Sequence, residues 1–151
     1  MADRRIRWCQ KRKEILEKLW SDGESTGPFA TKVDVLCFAA SYGATNNASE
    51  KLEQPSEPIR HDIFENRGYG TLFDLLAIYR TEDPSILENS DDAEIRRATV
   101  FEEYANGGLR ILEGEMKGVV DCTEQVALLV GRMRPSPSKD DTGVFNITDL
   151  I

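Results

Sequence analysis

Few residues of this 151-residue chain have the types and spacing that a metal site or a covalent catalyst requires. The one histidine, His61, lies between Arg60 and Asp62 in a polar segment. A zinc site built on a histidine pair is therefore excluded, and a Ser-His-Asp triad has little support. The sequence has no Cys-x-x-Cys and no P-loop, and Gly68-x-Gly70 lacks the third glycine of a dinucleotide site. We interpret His61 as a solvated or capping residue and expect no metal and no cofactor.

The segment LEGEMK contains the acidic residues that come nearest to a catalytic pattern. Glu113, Glu115 and Lys117 have a likeness to the acid-x-Lys end of a nuclease metal site. That chemistry requires a strand that holds the acid and the lysine beside a second acid, so that oxygen atoms bind a divalent ion. The context here is helical, and Glu115 and Lys117 would diverge around the helix axis. We interpret the segment as a solvated helix end, which leaves a nuclease subunit as the least favoured hypothesis.

Cations cluster at the start of the chain. Residues 1–20 hold seven Lys or Arg against three Asp or Glu, whereas the whole chain has 19 against 27 and a net charge of −8. An acidic protein binds nucleic acid poorly without a specific site. A local basic end can still contact phosphate or dock on an acidic partner. The candidate DNA-contact residues are Arg4, Arg5, Arg7, Lys11, Arg12 and Lys13.

A short strand followed by a helix would position these cations. In RRIRW, Ile6 and Trp8 share one face and Arg5 and Arg7 share the other, which is the alternation of a strand. From about Cys9 the spacing changes to that of a helix. The apolar stripe of this helix is Ile15, Leu16, Leu19 and Trp20.

The stretch FATKVDVLCFAASYG, residues 29–43, is apolar on both sides of a helix and is closed by Gly43. Such a helix lies inside a protein, and this one is too short to cross a membrane, which takes about 20 apolar residues. We therefore predict that it is the buried helix around which the others pack. Cys9, Cys37 and Cys122 are far apart and odd in number, so we expect reduced thiols in a cytoplasm.

Three more helices follow. The first is capped by Thr71, with Leu72, Leu75, Leu76 and Tyr79 facing inward. The next begins at Ser90, and its inward apolar stripe starts at Ile95 and keeps its phase through Gly107 and Gly108. The helix either breaks there or meets a neighbouring backbone closely, and the unbroken phase favours the close approach. Asp121 and Glu124 predict a capping box for the last helix, with Val126, Leu129, Val130 and Met133 inward. The predicted interface residues are Phe101, Tyr104, Gly107, Gly108 and Leu109. Glu102 would also face inward at this helix–helix contact.

These patterns predict a mainly α fold, a compact bundle of about five helices with a short N-terminal strand. Residues 1–134 form one helical domain, and 135–151 form a linker and a C-terminal arm. The polar loop 44–58 is long for a compact domain and is either functional or mobile. No segment has the length of a membrane span or the pattern of a signal peptide, which favours the cytoplasm.

Three pieces of the sequence carry a family resemblance. They are GPFATKVDVLCFAASYG at 27–43, EPIRHDIFEN at 57–66 and FEEYANGGLRIL at 101–112. With the TLFDLLAI helix between them, they resemble the bacterial proteins called dnd system-associated protein 4. The resemblance implies a prokaryotic defence context, since such systems replace a nonbridging phosphate oxygen of DNA with sulfur and restrict unmarked phage DNA. It implies other proteins of that system as partners, but no known activity.

The order strand, helix, turn, helix has a weaker likeness to ribbon-helix-helix proteins and to the small E component of phosphorothioation systems. In a ribbon-helix-helix dimer, paired strands place their outward side chains in the major groove. The first hypothesis is therefore a non-enzymatic DNA-binding accessory subunit that acts as a homo-oligomer. The second is a protein–protein adaptor or regulator of the same complex without direct DNA contact.

Overall fold

The structure is a computed structural model that describes residues 4–21 and 27–133. In these ranges the chain forms six α-helices and one two-stranded antiparallel sheet, which confirms the predicted mainly α fold. The strands are β1 (Arg5–Ile6) and β2 (Ile59–Arg60). The helices are α1 (Lys13–Leu19), α2 (Lys32–Thr45), α3 (His61–Asn66), α4 (Gly70–Thr81), α5 (Asp91–Glu115) and α6 (Cys122–Met133), with 3-10 turns at Gln10–Arg12 and Pro84–Leu87.

The fold is organised by the contact between α2 and α5. Helix α2 is buried on both sides, as predicted. It does not end at Gly43 but runs to Thr45, and Gly43 lies in the crossing, where an added Cβ would overlap the Tyr104 carbonyl. Helix α5 is continuous through its glycine pair, and a Cβ on Gly108 would overlap the Ala39 carbonyl. The prediction of a close backbone approach at these glycines is therefore confirmed.

The buried face of α4 differs from the predicted one. Phe73 and Leu76 are buried, whereas Leu75 is 63% and Tyr79 is 58% exposed. The ring of Phe73 stacks on that of Phe101 with centroids 4.1 Å apart, and this aromatic contact sets the rotation of the helix. Both sides of α4 are apolar, so the helical period alone allows two phases.

The helix caps were predicted with mixed success. Ser90 caps α5 through its hydroxyl, and Asp121 accepts a hydrogen bond from the Glu124 backbone N–H at 3.0 Å, as expected. Thr71 is not a cap, because α4 begins at Gly70 and its first turn has no side-chain cap. Three residues that were expected to face the core are instead exposed: Ile95, Val130 and Met133.

The N-terminal strand pairs with β2 of the same chain, so that Arg5 lies opposite Arg60 and Ile6 opposite Ile59. Ile6 is fully buried, and Arg5 is exposed, as the alternation predicts. The two-stranded ribbon is therefore complete within one chain, whereas the ribbon-helix-helix likeness implies one strand from each of two copies. Arg60 becomes part of the same surface as Arg5.

The segment between α2 and β2 is held along the N-terminal segment. The Ser56 backbone N–H donates to the Trp8 carbonyl at 2.8 Å, and the Trp8 N–H donates to the Ser56 hydroxyl at 3.1 Å. Two residues on, the Gln10 N–H donates to the Gln54 carbonyl at 2.8 Å. These bonds extend the pairing of the ribbon and make the loop a fixed wall beside residues 8–10.

The three cysteines are buried and form no disulfide. Within 4–21 and 27–133, no helix is long and apolar enough to cross a membrane. The predicted linker and arm at 135–151 lie outside the described residues.

Candidate nucleic-acid interface

The outward face of the ribbon carries arginines from two distant parts of the sequence. Arg5 and Arg60 are directly opposite in the register, which places their Cβ atoms about 5 Å apart. Both are exposed, and Arg7 is exposed two residues further along. Arg60 also forms an ion pair with Asp62. We call Arg5, Arg7 and Arg60 the ribbon arginines.

The sequence analysis included Arg5 and Arg7 among the candidate DNA-contact residues but did not include Arg60. A two-residue strand such as Ile59–Arg60 has no periodicity to detect, so its pairing with β1 could not be predicted.

The other four predicted DNA-contact residues each lie beside a carboxylate. Such pairs reduce the positive charge that the surface presents, although exposed pairs hold together weakly and can exchange partners. Arg4 and Arg12 are the most enclosed of the four, with side chains 13% and 20% exposed. The pairs are Arg4–Glu94, Lys11–Glu53, Arg12–Glu113 at 2.7 Å with Glu50 at 3.4 Å, and Lys13–Glu17 at 3.9 Å.

Glu102 lies behind the ribbon and fixes its edge. The Arg7 backbone N–H donates to the Glu102 carboxylate at 2.9 Å. Burial raises the pKa of Glu102 to about 7, and the Arg7 bond and charge oppose that rise. The predicted inward orientation of Glu102 is therefore observed, but its partner is the N-terminal segment.

A polar cavity of about 390 Å³ surrounds His61, the residue interpreted from the sequence as solvated or capping. His61 is half-buried, and its ring packs on that of Phe73 in an edge-to-face arrangement with the ring centroids 4.7 Å apart. Burial lowers the pKa of His61, and the charge of Glu65 opposes this shift. Arg97 lines the same cavity and donates to the Ile86 carbonyl at 2.6 Å. Two arginines and three carboxylates line the cavity, and both arginines are paired with acids, so the cavity has no excess positive charge for an anionic ligand. Its remaining charged members are Arg4, Asp74 and Glu94.

The five predicted interface residues all lie in the contact between helices of one chain. Phe101 and Leu109 are fully buried, and Tyr104 is 3% exposed. Gly107 and Gly108 face α2 and the residues after it, where an added Cβ would overlap the Ala48 and Ala39 carbonyls. This set is therefore part of the core, and its side chains are not on the surface where a second copy could reach them.

The LEGEMK acids do not converge. Helix α5 ends at Glu115, and Glu113 is engaged by Arg12. Among residues 4–21 and 27–133, no three His, Cys, Asp or Glu side chains are grouped so that they could hold a metal ion.

The misassigned face of α4 forms one wall of an open apolar groove. The groove has a volume of about 520 Å³ and runs between α4 and the C-terminal half of α2. Leu75 and Tyr79 are its most exposed apolar members. The other lining residues are Ser41, Ala44, Thr45, Leu72 and Leu76.

The fold and this surface define a small, mainly helical protein with a cationic two-stranded ribbon on an acidic body. The chain belongs to the family described as DNA sulphur modification system-associated protein 4, whose model matches residues 5–150. This confirms the resemblance and associates the protein with a DNA sulphur modification system. No curated protein and no solved structure matches the chain.

Proposed function

We propose that this protein is a non-enzymatic accessory component that contacts duplex DNA for its sulphur modification system. The observation that carries the proposal is the ribbon, where Arg5 and Arg60 lie side by side and Arg7 follows. A DNA phosphate between the two guanidinium groups would accept charge-assisted hydrogen bonds from both. The Arg60–Asp62 pair is exposed, so Arg60 can exchange Asp62 for the phosphate.

The shape of the ribbon also suits a duplex. A two-stranded β-ribbon fits into the major groove of B-DNA, and arginine is the commonest reader of guanine there. The rest of the chain is acidic, so the net charge of −8 would repel DNA from other faces. We therefore expect one binding face and an orientation set by the ribbon. Such a component would act in the cytoplasm.

The test is binding of a labelled duplex of about 20 base pairs, measured by fluorescence anisotropy in low salt. The same duplex is also prepared nicked and phosphorothioated. The variant Arg5→Ala/Arg7→Ala/Arg60→Ala should lose most of the affinity for all three forms, because phosphate contacts do not depend on sequence. Arg132→Ala, an exposed arginine of α6, is the matched control and should bind normally. Lack of binding by the unaltered protein to every form would refute the proposal.

A second candidate is an adaptor that joins proteins of the modification system. The observation that favours it is the open groove, because exposed apolar surface of this kind marks protein contacts. Leu75→Asp should then abolish binding to a system protein while duplex binding persists. The mass of the purified protein in solution tests whether the groove instead pairs two copies, as the predicted homo-oligomer requires.

A further inference from the structure

A second site, lined by two lysines and one carboxylate (Lys13, Lys32 and Glu57), lies beside the ribbon. It is an open pocket of about 430 Å³ between residues 8–13 and residues 56–59. Ile59 of β2 lines it, so the pocket begins where the ribbon ends. Its volume is in the range of small-ligand pockets, about 300–1,000 Å³. The lining residues are Trp8, Gln10, Lys13, Lys32, Ser56, Glu57, Pro58 and Ile59.

Lys32 is held in this pocket by aromatic rings. Its ammonium nitrogen lies 4.8 Å from the centre of the Trp20 ring and 5.8 Å from that of Trp8. These are cation–π distances, and they fix the position of the charge without neutralising it. Among the ion pairs of residues 4–21 and 27–133, none includes Lys32. Lys32 therefore offers a positioned cation whose charge an anion can still pair.

The walls of the pocket are built before any ligand arrives. Trp8 and Ser56 are joined by two hydrogen bonds, and Cys9 forms a bridge with Pro55. A binding site whose walls are already ordered loses little entropy when its ligand binds.

We propose that this pocket binds one unstacked nucleotide of DNA, with its phosphate beside Lys32 and Lys13 and its base mainly against Pro58 and Ile59. Trp8 is 9% exposed and contributes only the part of its ring that reaches the pocket. A nucleotide combines the anion and the flat apolar surface that the two halves of the pocket match. An acidic peptide would satisfy the lysines but would leave the apolar wall without a partner. The inference rests on the proposed function, since it adds a single-stranded contact next to the duplex contact.

The chain offers a direct probe of the site, because its two tryptophans, Trp8 and Trp20, are the two rings that hold Lys32. Titration of the full-length protein with the single strand dT8 should quench tryptophan fluorescence to saturation. An abasic strand of equal length and inorganic phosphate should each bind more weakly. Lys32→Ala should weaken dT8 binding about tenfold, the loss expected for one charge-assisted hydrogen bond. Because this substitution changes the tryptophan environment itself, anisotropy of labelled dT8 confirms the affinity.

Lys117→Ala, an exposed lysine after α5, is the matched control and should bind dT8 like the unaltered protein. Absence of saturable quenching, equal binding of the abasic strand, or no effect of Lys32→Ala would each overturn the proposal. The duplex measurement separates the two failures. If duplex binding depends on the ribbon arginines but dT8 does not bind, only the pocket assignment is wrong. If neither DNA binds, the proposed function fails as well.

Discussion

The α2–α5 crossing and the N-terminal ribbon are stabilised in opposite ways. At the crossing, Gly43, Gly107 and Gly108 let two backbone segments approach closely. At the ribbon, the buried side is apolar, whereas the exposed side carries three arginines, of which Arg60 pairs with Asp62. The crossing is held by packing within the chain, whereas the ribbon arginines lie at the surface, where exposed ion pairs can exchange partners. This difference supports the proposal that the crossing holds the fold and the ribbon serves a partner.

The largest loss of stability is expected from a substitution of Gly108 in the crossing. Replacing it by alanine would force a Cβ against the Ala39 carbonyl and to within 3.0 Å of the Gly43 nitrogen, and neither backbone can move aside. Gly108→Ala should therefore lower the free energy of unfolding by about 3 kcal/mol or more. Chemical denaturation followed by circular dichroism measures the change.

Gly114 is the control for that substitution, because it lies in the same helix with open space where its Cβ would be. Gly114→Ala should raise the free energy of unfolding by about 1 kcal/mol through helix propensity alone. If both substitutions had the same effect, the close crossing would not be what holds the fold.

Glu102 connects the two regions, and its pKa makes the connection depend on pH. Its folded pKa of about 7 exceeds the ordinary value of 4.5 for a glutamate, so the folded state binds more protons than the unfolded state between these values. This group therefore stabilises the fold less as pH rises from 4.5 to 7, and the penalty is fully present above 7. Glu102→Gln should raise the free energy of unfolding at pH 8 by about 1–3 kcal/mol and have little effect at pH 4.5.

The change is measured as the difference between the pH profiles of the variant and the unaltered protein, because burial also lowers the pKa of His61, which contributes equally to both profiles. Glu88→Gln, at an exposed position, should leave the profile unchanged. A Glu102→Gln profile parallel to that of the unaltered protein would contradict the assigned burial.

The smallest effect is expected at the exposed pair of Lys11 and Glu53, whose side chains are 49% and 69% exposed. Lys11→Ala should leave the denaturation midpoint unchanged within error, because surface ion pairs contribute little. It should also weaken duplex binding less than loss of any ribbon arginine. A larger loss of duplex affinity for Lys11→Ala would indicate that DNA binds at the turn Gln10–Arg12 and not at the ribbon.

Much of the core could be predicted from the sequence because steric patterns are local. A helix apolar on both sides must be buried, and an unbroken stripe across Gly107 and Gly108 requires a close neighbour. The rotation of α4 was wrong because it depends on where Phe73 meets Phe101, a contact between residues 28 positions apart. Such tertiary contacts are not encoded in the period of one helix.

The candidate site was less predictable because its charges are paired over long distances. Arg4 pairs with Glu94 and Arg12 with Glu113, so positive charge that seemed available in the sequence is partly neutralised in the fold. The register that places Arg60 beside Arg5 also depends on tertiary structure. The excess charge at the N-terminus predicted a basic region, but which of its arginines lie together on the exposed face had to be read from the structure.

The central claim is that the ribbon arginines contact duplex phosphates, and the salt dependence of duplex affinity tests it most directly. Three phosphate contacts predict a slope of about −2.7 for the logarithm of the binding constant against that of the salt concentration. The affinity should thus fall about 40-fold between 50 and 200 mM salt. The Arg5→Ala/Arg7→Ala/Arg60→Ala variant should lose that slope. A slope that persists in this variant, or no duplex binding at 50 mM salt, would contradict the account.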